Sequence, residues 1–344
     1  MENKNKSNNS TSMAPFLYTE DYLMYDSFLG VLSFFIVTVN TLVLFVFIYK
    51  PQIRTKTNCL LASLAASDLS MGLFGIPMYI GSVVTNISWL LITSGMVYRF
   101  IAVSTMCHIL AITVERYVFI IHPMNYVNVV KRGRLYGLIA CIWIFSLSFA
   151  VIQLAWIDVT DFYSATETKV MGGIIYHSVG VTVCFVCPFL AMTFIYAKMF
   201  SVIHRQVSEI RRQHIATESQ NYCPIYAELR AISVFATMLA IFAFCWVTWY
   251  ISVFEQYLKY YDRKFSFNIS EDGYLVIDFL RFCTSLVNPL LYIYIKKDFR
   301  NAFSSVFRCK TRFSRQGSSS YRSQGTTHLY DTQYTTCTYE DTKC

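Results

Sequence analysis

Charge is what this chain has least of. Of 344 residues, 15% are charged, 55% are hydrophobic and 17% are aromatic, against about 25% charged in ordinary soluble domains. A soluble fold of this length could not cover itself with so little charge, so that class is excluded. The shortage is also concentrated. Residues 27–49, 135–157, 170–197 and 231–254 contain no Asp, Glu, Lys or Arg. Each run exceeds the ~20 residues that a helix needs to cross the hydrocarbon core. Three more runs carry few charges: 58–83 with Asp68, 92–120 with Arg99 and, near its end, Glu115 and Arg116, and 273–295 with Asp278 and Arg281. Only helices satisfy their own backbone groups in such segments. The expected fold is therefore an all-α membrane protein, a bundle of seven transmembrane helices.

Basic residues are scarce on one side of these spans. Taken alternately, the loops on one side hold Lys50, Arg54, Lys56, Lys131, Arg132, Arg134, Lys198, Arg205, Arg211, Arg212 and Arg230. Those on the other hold Lys169, Lys259, Arg263 and Lys264, mixed with Asp158, Asp161, Glu167, Glu255, Asp262, Glu271 and Asp272. Lys and Arg accumulate on the cytoplasmic side, so the N-terminus is expected outside and the C-terminus inside. The net charge of +8 then reports orientation, not nucleic-acid binding. The opening MENKNKSNNSTS is polar, and no secretory signal is expected before the first span. The sequons at Asn5, Asn8, Asn9, Asn86 and Asn268 all fall on the outer side as glycosylation candidates. The chain divides into an extracellular tail (1–26), a transmembrane domain (27–295), an amphipathic helix (296–308) and a disordered cytoplasmic tail (309–344). The seven spans are expected at 27–49, 58–83, 92–120, 135–157, 171–198, 230–255 and 273–295.

None of the eleven cysteines lies on an outer segment. Disulfides form on the oxidising side, so no disulfide is expected, and the intramembrane cysteines read as small hydrophobes. No metal-ligand spacing appears among them. His108, His122 and His177 show no HExxH-like spacing either, so an intramembrane enzyme lacks its parts. A secondary transporter would show internal repeats; the 68–72 and 288–292 segments have no counterpart in the other half.

What is present is a set of polar residues inside the spans, each costly unless paired or hydrated. Steps of three and four place Tyr98, Thr105, Ile109, Ile112 and Arg116 on one face of helix three. Asp278, Arg281, Ser285, Asn288 and Tyr292 do the same in helix seven, and Glu228, Phe235, Phe242, Trp246 and Tyr250 in helix six. Asn40 and Asp68 add one polar residue each from helices one and two. A lone Asn or Ser is commonly interhelical glue. Asp68, with no basic neighbour in its own helix, points instead to a hydrated pocket with Asn40, Thr105, Ser285 and Asn288. Glu115-Arg116-Tyr117 ends an apolar span, where an arginine can snorkel to water and a neighbouring carboxylate can hold it.

Asn40, the Leu-Ala-Ala-Ser-Asp68-Leu run, Glu115-Arg116-Tyr117, Trp143, Pro188, Phe-Cys-Trp246 and Asn288-Pro289-Leu290-Leu291-Tyr292 stand in seven spans in that order. The set resembles the rhodopsin-like (class A) G protein-coupled receptors over roughly residues 27–308. The resemblance implies a cell-surface receptor of the plasma membrane that activates a heterotrimeric G protein. It implies that Arg116 is restrained by Glu115 and Glu228, and that Asp68 heads a sodium and water pocket. Trp246 would be the rotamer-sensitive residue beneath the ligand. Met106, Pro188 and Phe242 would form the core that repacks, and Tyr196 and Tyr292 would move toward Arg116. A non-signalling or constitutively active receptor-like protein is the alternative, with a transporter behind it.

The chain also departs from that family. The helix-three cysteine expected 25 residues before the arginine is Leu91. The helix-six proline is replaced by Thr248, which should bend the helix less. Phe282 stands where opsins carry the retinal lysine, so no retinal is expected. Tyr98 replaces the aspartate of amine receptors, and Val253 the asparagine of adenosine receptors. What remains is an aromatic pocket of Tyr98, Trp249 and Tyr250 with Arg99, Arg281 and Asp278. An internal Arg281–Asp278 ion pair is one reading; a ligand with an anionic group, a carboxylate or peptide C-terminus, is the other. On the inner side, Cys309 is a palmitoylation candidate. The Ser/Thr-rich tail offers phosphate acceptors for receptor kinases and arrestin.

Overall fold

The computed structural model describes residues 20–85, 87–156, 167–213, 223–261 and 269–312. These residues form seven long helices: α1 (Glu20–Tyr49), α2 (Lys56–Thr85), α3 (Ser88–Ile121), α4 (Arg132–Ala155), α5 (Glu167–Gln213), α6 (Cys223–Tyr261) and α7 (Glu271–Ile295). A shorter helix, α8 (Lys297–Arg312), follows the seventh. All seven are long and apolar enough to cross a membrane. A two-turn helix, Pro123–Val129, joins α3 to α4 and begins with proline, whose missing N–H costs nothing in a first turn.

Helix ends follow local chemistry. The Thr55 side chain accepts from the Asn58 N–H at 3.3 Å and caps α2. Ser270 does the same for α7 through Gly273 N–H at 3.1 Å, with Glu271 and Asp272 complementing the positive end of that helix. Helix α5 runs past its apolar stretch to Gln213, supported by an Arg205–Glu209 pair at 2.8 Å one turn apart. Lys296 takes an extended conformation, which breaks the chain between α7 and α8. Its ammonium bonds Asn58, whose amide donates to the Ile53 carbonyl at 2.6 Å, so α8 is tied under the turn between α1 and α2.

Two widened π-turns interrupt α2 (Met71–Gly75) and α5 (Gly180–Val186). Each lies shortly before a proline, Pro77 or Pro188. A proline removes one hydrogen bond and pushes away the carbonyl four residues back. The turn before it relaxes to an i→i−5 pattern: Ile76 N–H donates to Met71 O, and Cys187 N–H to Thr182 O. In α2 the approach of α1 fits this turn. Ser33 Oγ donates to the Gly72 carbonyl at 2.7 Å, and a Cβ at Gly72 would lie 2.7 Å from Val37 Cγ2. Helix α6 has no such turn. Thr248 instead returns its hydroxyl to Cys245 O at 2.9 Å and Phe244 O at 3.1 Å, and the helix runs unbroken through it.

Helix α3 is the axis of the bundle. Of its apolar window 67% is buried, against 28% for α1 and 22% for α4 and α5. It packs on α2, α4, α5 and α6, while α7 closes the ring between α1 and α6. Large apolar side chains such as Phe34, Phe35, Ile144, Leu190, Phe194 and Phe244 point outward, whereas Asn40, Asp68, Ser104, Thr113, Ser285 and Asn288 are buried. That inside-out arrangement suits hydrocarbon, where hydrogen bonds and close packing hold helices together. One bonded chain links α4, α2 and α3. Trp143 Nε1 donates to Ser63 Oγ at 3.0 Å, Ser63 lies 2.8 Å from His108 Nε2, and His108 Nδ1 lies 2.7 Å from the Ser104 carbonyl. A carbonyl only accepts, so Nδ1 carries the proton and Ser63 donates to Nε2.

Candidate functional site

Three polar zones lie along α3. The outermost is a cavity of about 370 Å3 lined from α2 through α7, within the size range of small-molecule sites. Five of the six residues expected there line it: Tyr98, Arg99, Trp249, Asp278 and Arg281. Tyr250 does not; it lines a smaller recess below, shared with Arg99, Trp246 and Gly180. The sequence reading missed His177, Gln153 and Tyr257. His177 and Gln153 belong to charge-free spans where nothing but polarity marked them.

The two arginines of the cavity are held differently. Arg281 meets Asp278 at 3.0 Å one turn away, and its guanidinium stacks over Tyr98, Phe282 and Trp249 at 4.5, 4.8 and 5.1 Å. The internal ion pair is therefore present. Arg99 has no carboxylate beside it among the described residues; its guanidinium faces the Tyr176 ring at 5.6 Å. Gly95 leaves it room, since a Cβ there would come within 2.9 Å of Nη1. Lys259, also at this end, pairs with Glu255 at 2.9 Å, and Glu255 also accepts from Tyr274 of α7. Buried polar atoms without a partner around the cavity include Arg99 Nε, Arg281 Nε, Gln153 Nε2 and Trp246 Nε1. All four are N–H donors. Trp246 forms the floor, against Phe242 at 5.6 Å and Trp249 at 5.4 Å.

The middle zone holds Asp68, which is fully buried and accepts from Asn288 Nδ2 at 3.0 Å. Asn40 Nδ2 donates to the Ser285 carbonyl at 3.2 Å. Asp68 Oδ1, Asn40 Oδ1, Ser67 Oγ and Ser285 Oγ are buried without a partner. Thr105 is buried on α3, and Asn288 is the side chain that bonds Asp68 directly. Met106 and Phe242 share one apolar core with Trp246, and Pro188 follows the π-turn of α5.

The inner zone is built on Glu115-Arg116-Tyr117. Arg116 Nε lies 3.0 Å from Glu115 Oε2, and its guanidinium also bonds Thr57 of α2. Glu115, 5% exposed, accepts from Thr57 at 2.8 Å and from Tyr126 at 2.5 Å. Tyr117 stands against His122 with ring centroids 6.1 Å apart. Tyr196 bonds Thr113 at 2.8 Å, one turn above Arg116. Tyr292 is buried against Phe299 of α8 at 5.3 Å, beyond Pro289 in α7. The Glu228 side chain lies outside the described residues. So do the Cys309 side chain, the five sequons at Asn5, Asn8, Asn9, Asn86 and Asn268, and the tail from residue 313.

Known proteins resemble this chain along most of its length. The family described as 7 transmembrane receptor (rhodopsin family) matches residues 39–292. The dog (Canis lupus familiaris) histamine H2 receptor is 27% identical over 275 residues, 75% of this chain and 72% of the receptor. The chicken (Gallus gallus) adenosine receptor A2b is 26% identical over 318 residues, 84% of this chain and 90% of its own. A probable G-protein coupled receptor of the barnacle Amphibalanus amphitrite is 26% identical, covering 82% of this chain and 90% of its own. These relatives are receptors, not enzymes, and seven apolar helices make the chain a multi-pass protein of the plasma membrane. It belongs to the rhodopsin family of seven-transmembrane receptors.

Proposed function

We propose that this receptor binds an extracellular ligand with an anionic, acceptor-rich group in the outer cavity and answers by activating a heterotrimeric G protein at the Arg116 end. The observation that carries the ligand half is Arg99. It is a guanidinium facing a cavity with no carboxylate beside it among the described residues, amid buried donors that also lack acceptors. A carboxylate would satisfy several of them at once through charge-assisted bonds. Histamine and adenosine, named in two relatives, suit this cavity less well. Its carboxylate Asp278 is occupied by Arg281, and Glu255 at the same end by Lys259, and Tyr98 and Val253 stand where the notable polar anchors of amine and adenosine receptors would be. A small carboxylate or a peptide C-terminus is the ligand class we favour.

The signalling half rests on the inner zone. Glu115 and Thr57 hold Arg116 in place, and Tyr196 lies one turn away. Outward movement of α6 would free Arg116 for a G protein, with Glu228 as the second restraint. The Asp68 zone fits a sodium ion, a hard cation that takes oxygen ligands. Asp68, Asn40 and Ser285 present buried oxygens without partners, and Asp68 brings the balancing charge. Bound sodium would neutralise that carboxylate. Regulation by receptor kinases and arrestin at the 309–344 tail, with palmitoylation at Cys309, completes the reading.

The test is a G protein activation assay in cells expressing the receptor, screened with a library of carboxylate-bearing metabolites and peptides. Agonists should be anionic, and Arg99→Ala should raise the concentration they need. Agonists that are exclusively cationic, or indifferent to Arg99→Ala, would reject the ligand class.

A further inference from the structure

A second cavity, of about 420 Å3, opens near the Arg116 end between α3 and α4. Val114 and Val118 form one wall, Leu135 and Leu138 the other, and Val129 and Val130 close the inner end. Val114 and Leu138 are exposed, so the groove faces the surrounding bilayer. Two charged residues touch it. Glu115 is occupied by Thr57, Tyr126 and Arg116, as described, and offers the groove no free negative charge. Arg134 stands exposed at the rim. Its Nη1 reaches the carbonyls of Asn128 and Val129, at 3.3 Å each, and its other nitrogens are left for an outside partner. The segment 122–134 carries His122, Lys131, Arg132 and Arg134 and no acid.

We propose that this groove binds one anionic glycerophospholipid of the inner leaflet, an acyl chain lying along α3 and α4 and the phosphate held by Arg134. The inner-leaflet placement rests on the receptor reading above. Apolar walls with a single guanidinium at the mouth match a molecule with a long apolar body and one anionic head. A water-soluble anion would gain nothing from the walls, and a zwitterionic lipid would gain less from the rim. Basic sites at the cytoplasmic ends of membrane helices select anionic headgroups in this way, and guanidinium suits phosphate in particular. The lipid would have a mechanical consequence. Val129 ends the short helix that carries Tyr126, and Tyr126 holds Glu115, the partner of Arg116. An occupied groove would brace that helix and so favour the restrained state of Arg116.

The full-length receptor, reconstituted in an equal mixture of phosphatidylserine and phosphatidylcholine, is released into native mass spectrometry and its retained lipids are counted. One phosphatidylserine should be retained in preference. Arg134→Gln should weaken that preference about fivefold, the factor that corresponds to about 1 kcal/mol per basic residue near an anionic surface. Lys131→Gln, on the same loop but outside the groove, should change it much less. Leu138→Trp should displace the lipid while keeping Arg134, and Val114→Trp serves on the opposite wall if that variant fails to fold. Equal losses from Arg134→Gln and Lys131→Gln would overturn the proposal in favour of a diffuse surface effect. So would equal retention of phosphatidylcholine, or retention unchanged by filling the groove. No agonist or G protein enters this measurement, so its failure leaves the signalling proposal standing.

Discussion

Helix α3 carries an arginine near each end, and the bundle treats them differently. Arg116 has Glu115 at 3.0 Å and Thr57 bonded to it, and Glu115 is itself steadied by Tyr126. Arg99 has a ring face and a cavity. A cation given its counter-charge by the fold is held until something competes for it. On the proposed function, a cation left beside buried donors in a cavity, with no carboxylate beside it among the described residues, is kept for a ligand. In the proposed reading, the inner end is a restraint and the outer end is one half of a recognition pair.

The comparison can be broken most sharply at the inner arginine. Arg116→Ala should abolish agonist-stimulated G protein activation while surface expression persists; full signalling from a normally expressed variant would remove the restraint from the account. At the middle zone, sodium should raise the thermal midpoint of the purified receptor and fail to do so in Asp68→Asn. An equal sodium response in both would dissociate the ion from Asp68.

At the outer end, Arg99→Ala should raise the half-maximal agonist concentration by about 10- to 100-fold, from the ~1.5–3 kcal/mol typical of hydrogen bonds to charged groups. The double variant Asp278→Asn with Arg281→Gln removes both charges of the internal pair together and should shift the response far less. Agonist titrations on both variants decide this, and a larger shift in the double variant would move the anion site to Arg281. The smallest effect belongs to the bond network shared by both ends. Ser63→Ala should lower stability by about 0.6–1.7 kcal/mol, the range for intramembrane side-chain bonds, read as a modest fall in the thermal midpoint with agonist potency unchanged.

Much of this was legible along the chain because a bilayer writes itself into sequence. Charge-free runs longer than the hydrocarbon is thick have one outcome, so seven helices followed directly. Steps of three and four likewise placed Tyr98, Thr105, Ile109 and Ile112 on one buried face of α3. Other features were hidden for physical reasons. The π-turn before Pro77 follows from the proline, but the Ser33 hydroxyl that meets its Gly72 carbonyl comes from α1, and no local pattern announces that contact. Thr248 showed only an absent proline, whereas its hydroxyl returning to two carbonyls of its own helix is a matter of rotamer. Tyr250 shares a helical face with Trp246, yet Trp246 lines both chambers and Tyr250 only the smaller one.

The sequence by itself determined the membrane class, the helix count and the polar residues that must be shielded, because transfer of charge and backbone polarity into hydrocarbon is too costly to be negotiable. The tertiary structure decided which of those polar residues satisfy one another. Asp278 and Arg281 are neighbours on one helix turn and could be foreseen as a pair. Thr57 with Arg116, Asn288 with Asp68 and Asn58 with Lys296 are brought together from different helices. Partner choice inside a bundle is set by how the helices pack, and the choice that leaves Arg99 without a carboxylate among the described residues is what the proposed ligand class rests on.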